Sequence, residues 1–296
     1  MLRQLPAGAP PENGDDRRGR GSVICCNNRK QKGKAMKKHV LGSLVLGAVM
    51  ALATLAAHAD DTIKFGVAAE PYPPFSSKDA SGKWVGFEID LMNAVCAQMK
   101  AKCQLVETAW DGIIPSLQEK KIDVIWSSMS ITEERKQKID FTDKYYQTPA
   151  VIIGPKAEAV KIDFSNPDSV KGKIIGVQIS TIHADFVQKY FGSAATVKTY
   201  DTQDNCNADL VAGRVDLVMA DSIALADFLK SDQGKDFEVK ATAPKDPILG
   251  DGVGGGVRKD DAALREKLNA AIAAVRADGT YDKIAKKYFD FDVYGS

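Results

Sequence analysis

Two hydrophobic periods alternate along the chain from residue 62 onward. Short apolar runs rich in β-branched residues predict strands at 62–68, 103–107, 122–127, 173–177 and 215–220. Apolar residues at helical spacing predict helices at 87–100, 113–120, 181–190, 205–212, 222–230, 261–277 and 280–289. In the first of these Met92, Val95, Cys96 and Met99 share a face, and in the sixth Leu264, Leu268, Ile272 and Val275 do. Strands alternating with helices imply an α/β fold with parallel or mostly parallel sheets under covering helices. The extended run Y-Y-Q-T-P-A-V-I-I-G contains Pro149, which cannot donate to a sheet ladder. It is therefore expected at a sheet edge or in a crossing between lobes.

One pattern occurs twice. L-Q-E-K-K-I-D-V-I-W-S from Leu117 and L-V-A-G-R-V-D-L-V-M-A from Leu210 share a helix end, a basic residue, a hydrophobic residue, an Asp and an apolar strand. This implies two lobes of like topology, each offering the carboxyl end of a strand to a cleft. With 296 residues and 44% hydrophobic content the chain can bury two cores. Its formal charge of +1 misleads, because residues 1–59 hold ten Lys and Arg against three Asp and Glu. The remainder carries 30 against 36, formally −6, which argues against nucleic acid or an acidic membrane as partner.

The division at Asp60 reflects a secretion leader: Lys37 and Lys38, an apolar run from Val40 to Leu55, then Ala57-His58-Ala59. Cleavage is expected after Ala59. The apolar run is shorter than the roughly 20 residues of a membrane span. Residues 1–35, rich in Pro, Gly and Arg, would strand that leader inside the chain, so translation is expected to start at Met36. The vicinal pair Cys25-Cys26 is a weak metal signal without further ligands nearby. In an oxidising compartment Cys96 and Cys103, on a helix and the strand that follows, are expected to form a bridge, the alternative being two buried thiols. Cys206 is left as a core or helix residue.

Candidate chemistry centres on S-S-M-S-I-T-E-E-R, residues 127–135, where a buried strand hands over to a helix. Hydroxyls, free N–H groups and a guanidinium one turn later suit a carboxylate. The bland alternative is a helix cap, since Ser130 and Glu133 fit the S-x-x-E capping box. Asp221, ending a buried strand, needs a cationic partner or serves as the N-cap of the helix that follows. The glycine-rich G-D-G-V-G-G-G-V from Gly250 lacks the Lys-Ser/Thr of a phosphate loop and reads as a return crossing.

These residues, taken with Y-P-P-F-S-S-K-D-A-S-G-K-W-V-G-F-E-I-D-L, W-D-G-I-I-P-S-L, G-R-V-D-L-V-M-A-D, the Cys96/Cys103 spacing and the terminal D-G-T-Y-D-K-I-A-K-K-Y-F-D-F-D-V-Y-G, make the chain from about residue 60 to 296 resemble a known family. It is similar to the periplasmic amino-acid-binding proteins of ABC transporters, solute-binding protein family 3, and especially to the lysine/arginine/ornithine and histidine binders. The resemblance implies a two-lobed periplasmic-binding-protein fold, with lobe 1 at 60–147 and 252–296 and lobe 2 at 148–251, joined by two crossing strands. It implies that Ser128, Ser130 and Arg135, helped by Thr181 beside Ser180, hold an α-carboxylate, and that Asp221 takes the α-ammonium. Tyr72 and Trp110, each read alone as a core aromatic, fall at positions that sandwich the ligand side chain, and Ser127 at one that faces it. Two departures touch specificity. The acid preceding the tyrosine is displaced by one residue, so Glu70 is expected to replace it with help from Asp111. The G-S-T-Q turn of the family reads I-S-T-I, so that Ile182 replaces a polar contact and His183 follows.

The expected function is a monomeric receptor that closes over one L-amino acid, preferably a basic one, and delivers it to a membrane permease. Opines and polar amino acids are alternatives. No cofactor and no metal are expected, because His183 is the single histidine after residue 59. The rival reading is a cyclohexadienyl-dehydratase-like enzyme on the same fold. Ser180, His183 and Asp185 do not make a hydrolase relay, since adjacent helical positions cannot align it and no G-x-S-x-G elbow occurs.

Overall fold

The computed structural model describes residues 62–295. The expected extension at 1–35, leader at 36–59 and cleavage point after Ala59 lie outside the described residues. The first sheet begins with β1 (Ile63–Ala68), followed by a short hairpin of β2 (Ser77–Lys78) and β3 (Trp84–Val85), then α1 (Phe87–Met99), β4 (Cys103–Thr108), α2 (Ile113–Gln118) and β5 (Val124–Ile125). α3 (Glu133–Lys138) and β6 (Asp140–Phe141) complete this part, and β12 (Gly256–Val257) returns to it from far along the chain. The strand order is β4-β1-β5-β12-β6, with β1 parallel to both its neighbours and β12 antiparallel to both of its own. The closing helices α7 (Ala262–Ala277) and α8 (Thr280–Ala285) pack on α1.

The second sheet is built from β7 (Ala150–Pro155), β8 (Ile174–Gln178), β9 (Thr196–Tyr200), β10 (Leu217–Asp221) and β11 (Phe237–Thr242) in the order β11-β7-β10-β8-β9. It is covered by α4 (Ile182–Phe191), α5 (Gln203–Val211) and α6 (Ser222–Lys230). The expected parallel pairing holds for β8 with β9 and β10, as it does for β1 with β4 and β5. The antiparallel pairs come from the strands that enter or return across the link, which run against the βαβ core of each sheet. Of the two expectations for the Pro149 run the sheet edge needs correction, since the run after it is β7, an interior strand paired on both sides. Pro149 itself lies just outside the ladder, where its missing N–H costs nothing. Ile152 faces one hydrophobic cluster and Val151 and Ile153 the opposite one, so both faces are buried and the run reads as continuously apolar.

The repeated pattern has a structural counterpart. Asp123 accepts from the backbone N–H of Lys64 at 3.0 Å, and Asp216 from that of Ile174 at 2.7 Å, so each Asp pins the start of its central strand. Each is matched by a cation, Arg258 at 3.0 Å and Lys173 at 3.4 Å. The orders β4-β1-β5 and β9-β8-β10 are the same arrangement made twice.

The core under β1 joins Phe65, Phe87, Leu91 and Trp126 to Leu268 and Ile272 of α7, all nearly inaccessible to solvent. Burying side chains of this size stabilises by roughly 1.5–3 kcal/mol each. Cys96 and Cys103 form a disulfide between α1 and the start of β4. Cys206 is a buried free thiol on α5. Glycine is required at Gly250, whose φ is 75° and whose side-chain position is filled by the carbonyl of Ile131. The glycine-rich segment is the return crossing into β12, with the N–H of Val253 bonded to Tyr146 and that of Gly255 to the Thr142 hydroxyl. Among the described residues no helix is long and apolar enough to cross a membrane.

Candidate functional site

The carboxyl ends of β1, β5, β8 and β10 point at one cavity, whose empty volume is about 540 Å³ including its mouth. From the side of the first sheet come Glu70, Tyr72, Trp110, Ser127, Ser128, Ser130 and Arg135, and from the second Gln178, Thr181, Ile182, His183, Gln203 and Asp221. Three hydrogen bonds span the two sides. The Tyr72 hydroxyl donates to Oδ2 of Asp221 at 2.7 Å, the Trp110 indole to the carbonyl of Ile179 at 3.1 Å, and Nη2 of Arg135 to the carbonyl of Ser180 at 3.1 Å. Residues 149 positions apart thus share a wall.

Arg135 is held from several directions. Its Nη1 donates to the carbonyl of Ser130 at 3.0 Å and its guanidinium lies 5.7 Å from the Trp110 ring, a cation–π distance. Burial pulls its pKa down to about 10, with Asp185 the leading opposing charge. The cap of its helix is not the expected one. Thr132, rather than Ser130, accepts the N–H of Arg135, at 3.2 Å, because Thr132 immediately precedes the first helical residue while Ser130 bridges to Val253. Ser130 is thereby released to the cavity wall, and its hydroxyl has no protein partner among the described residues.

The other hydroxyls are engaged. Ser127 accepts the N–H of Ala68 at 2.9 Å. Thr181 caps α4 by accepting from Ala184 and donates to the carbonyl of Gln178 at 2.7 Å. Ser128 donates both its N–H, at 2.8 Å, and its hydroxyl, at 2.9 Å, to Glu88. Glu88 is a buried acid at the start of α1 that sequence reasoning passed over, and it also accepts from Tyr145 at 2.6 Å. Burial raises its pKa, opposed by the hydrogen bonds from Tyr145 and Ser128. Ser128 and Ser180 both hold left-handed backbone, with φ of 52° and 59°. Such strain, roughly 1–2 kcal/mol per residue, gathers at functional sites.

Asp221 ends β10 and is 8% exposed. It stands at the N-cap position of α6 but makes no side-chain capping bond, so its carboxylate is turned to the cavity, towards Tyr72 and His183. Burial, followed by the neighbouring Asp221, lifts the Tyr72 pKa well above its ordinary value and keeps the hydroxyl a donor. Glu70 accepts from the N–H of Trp110 at 3.2 Å.

Nine of the ten candidate residues line the cavity; Ser180 is not among them and contributes only its carbonyl. Asp111 is exposed and does not line it either, because the single helical turn that carries Trp110 inward turns Asp111 outward. Gln178 and Gln203 were missed. Gln178 was detectable as a polar residue closing an apolar strand, but Gln203 opens α5 with no local signal. Among the described residues no group of His, Cys, Asp and Glu is placed to hold a metal ion.

Comparison with known proteins identifies the family. The sequence profile of the bacterial extracellular solute-binding proteins, family 3, matches residues 63–291. The lysine/arginine/ornithine-binding periplasmic protein of Escherichia coli is 45% identical over 264 residues, covering 88% of this chain and 100% of that protein. The histidine-binding periplasmic protein of Salmonella typhimurium is 44% identical over 265 residues with the same coverage. The structure of an ancestral arginine-binding protein bound to arginine superimposes with a TM-score of 0.70 at 35% identity, covering 77% of this chain and 98% of that one. The chain therefore belongs to the bacterial extracellular solute-binding proteins of family 3, with their two-lobed α/β fold.

Proposed function

We propose that the protein is a periplasmic receptor that binds one L-amino acid with a basic side chain, closes its lobes over it and presents the closed form to an ABC-transporter permease. The observation that carries this reading is the pairing of Arg135 and Asp221, from opposite sheets, on the wall of one cavity. A zwitterion needs a donor fork at one end and a carboxylate at the other, and here each end meets a different lobe. Only the closed form makes both sets of contacts, so the ligand shifts the population towards closure. In this reading Arg135 and the free hydroxyl of Ser130 hold the α-carboxylate, while Ser127, Ser128 and Thr181, whose hydroxyls are engaged within the protein, shape the wall. Asp221 takes the α-ammonium, Tyr72 and Trp110 flank the side chain, and Ser180 braces Arg135. The lobes are assigned to 60–147 with 252–296 and to 148–251, and export to a leader ending at Ala59.

The preference for a basic side chain rests on charge. The cavity wall holds two carboxylates, Glu70 and Asp221, against one guanidinium, so a ligand of net charge +1 neutralises it and a neutral amino acid does not. The relatives named for arginine, lysine, ornithine and histidine support the same choice. Catalytic turnover is no part of this reading. Isothermal titration with the twenty amino acids, after any co-purified ligand has been removed by unfolding and refolding, is expected to give one or a few basic ligands. The absence of heat with all of them would overturn the proposal, and turnover of prephenate would replace it with the enzymatic alternative.

A further inference from the structure

One group in the cavity wall is left over by the pairing described above. His183 is 5% exposed and lines the cavity, and its Nε2 is buried with no hydrogen-bond partner among the described residues. It lies 3.8 Å from Oδ1 of Asp221, beyond hydrogen-bond length. The other oxygen of that carboxylate is occupied by Tyr72. Two acceptors at that separation can both stand about 2.9 Å from a single nitrogen, and an ammonium carries three donors to serve them. A buried imidazole nitrogen is costly to leave unmatched, and in the tautomer with its proton on Nδ1 the Nε2 is an acceptor that one donor can serve together with Asp221.

The geometry points to His183 as a further ligand-binding residue, whose neutral Nε2 holds the ammonium of the bound amino acid jointly with Oδ1 of Asp221. This rests on the amino-acid reading above and adds to it a second acceptor and an acid limit on binding. A protonated imidazole would donate to Asp221 and repel the ammonium, so the competent site has the imidazole neutral. Two charges act on the ring from the elements around it. Asp221 at the end of β10 favours protonation, and Arg135 of α3 opposes it. Tyr72 is tied to the far oxygen of Asp221, Glu70 stands on the same cavity wall, and Asp185 on α4 acts on Arg135. Burial outweighs these charges and pushes the imidazole below its ordinary value, and the amino end of α4, where His183 is the second residue, acts in the same sense.

The test uses the full chain and L-arginine as probe, titrated calorimetrically between pH 5 and 8, in the wild type, His183→Leu and His183→Gln. Because only the neutral imidazole is competent, wild-type affinity is expected to fall towards tenfold per pH unit below the imidazole pKa of the free protein. His183→Leu is expected to weaken binding at least tenfold at pH 7.5. His183→Gln, whose Oε1 restores an acceptor, recovers part of that loss, and in both variants the imidazole-linked fall on the acid side disappears. Histidine-selective NMR gives a reading independent of how the variants fold. One imidazole resonance, assigned by its absence from His183→Gln or by proximity to bound ligand, is expected to titrate at least about one unit lower once L-arginine is added. Parallel pH profiles for the wild type and His183→Gln, or an imidazole titration that L-arginine leaves unmoved, would overturn the inference while leaving amino-acid binding intact. A wild type that binds none of the twenty amino acids at pH 7.5 would overturn both.

Discussion

Asp221→Asn is expected to move stability and binding in opposite directions. In the structure the Asp221 carboxylate is 8% exposed and accepts one hydrogen bond from a neutral hydroxyl, while Nε2 of His183 beside it makes none. Taking an ion out of water without a close counter-ion costs several kcal/mol, and the amino end of α6 returns at most about 2 kcal/mol of that. Asparagine keeps the size and an acceptor for Tyr72 but removes the charge. The ligand-free melting temperature is therefore expected to stay level or to rise by a few degrees, since about 1 kcal/mol corresponds to roughly 2–4 °C for a protein of this size. With ligand the sign reverses. Two opposite charges about 4 Å apart attract by roughly 4 kcal/mol at the effective dielectric of such a site. Losing one member of a buried pair costs about 2–5 kcal/mol, or roughly 30-fold to several thousandfold in Kd. Thermal denaturation without ligand and calorimetric titration with L-arginine measure the two effects. A melting temperature lowered by more than about 4 °C together with an unchanged Kd would refute the reasoning, because Asp221 would then be a structural residue.

Three further outcomes are expected away from the cavity wall. Cys96→Ser with Cys103→Ser, or reduction of the wild type, opens a loop of sequence separation 7 and should destabilise by about 2.5 kcal/mol in the chain-entropy account, seen as a lower melting temperature. Arginine affinity should survive, because Cys103 begins β4 at the end of the sheet opposite the cavity. Gly250→Ala forces a side chain into backbone suited to glycine and against the Ile131 carbonyl, and is expected to cost about 1–3 kcal/mol in denaturant unfolding. An unchanged midpoint would contradict this. The third concerns acid stability. Asp209 accepts from Arg214, Lys198 and Tyr200, which hold its carboxyl well below the usual carboxylate range. A depressed folded pKa contributes stability above the unfolded value of about 3.9, and that contribution is lost as pH falls towards the folded value. Asp209→Asn should therefore flatten the fall in melting temperature between pH 5 and 2, and a fall as steep as the wild type's would count against the network.

Much of this architecture was legible in the residues. α6 falls at 222–230 as its apolar spacing predicts, and the matching aspartates Asp123 and Asp216 start their strands through the same bond. Local reasoning failed where neighbours decide. β9, T-V-K-T-Y, and β11, F-E-V-K-A-T, lie at sheet edges with polar residues exposed, so neither carries the apolar signal of an interior strand. Pro149 argued for an edge or a crossing, yet β7 is paired on both sides, and the proline is tolerated because the ladder starts one residue later. The S-x-x-E box at Ser130 is a valid pattern in sequence, and it lost to Thr132 because the chain bends into helix only after that residue.

By itself the sequence determined the order of the helices and of the strands β1, β4, β5, β8 and β10, the doubling of one βαβ arrangement and the residue types able to bind a zwitterion, since all three are written in local spacing and chemistry. Only the tertiary structure decided that Tyr72 meets Asp221, that the hydroxyls of Ser127, Ser128 and Thr181 are engaged while that of Ser130 is not, that Asp111 turns away, and that His183 stands unmatched beside a buried carboxylate. The physical reason is the same in each case. Whether a polar group is free or engaged depends on partners brought from distant parts of the chain when the two sheets face one another, and no local pattern records that distance.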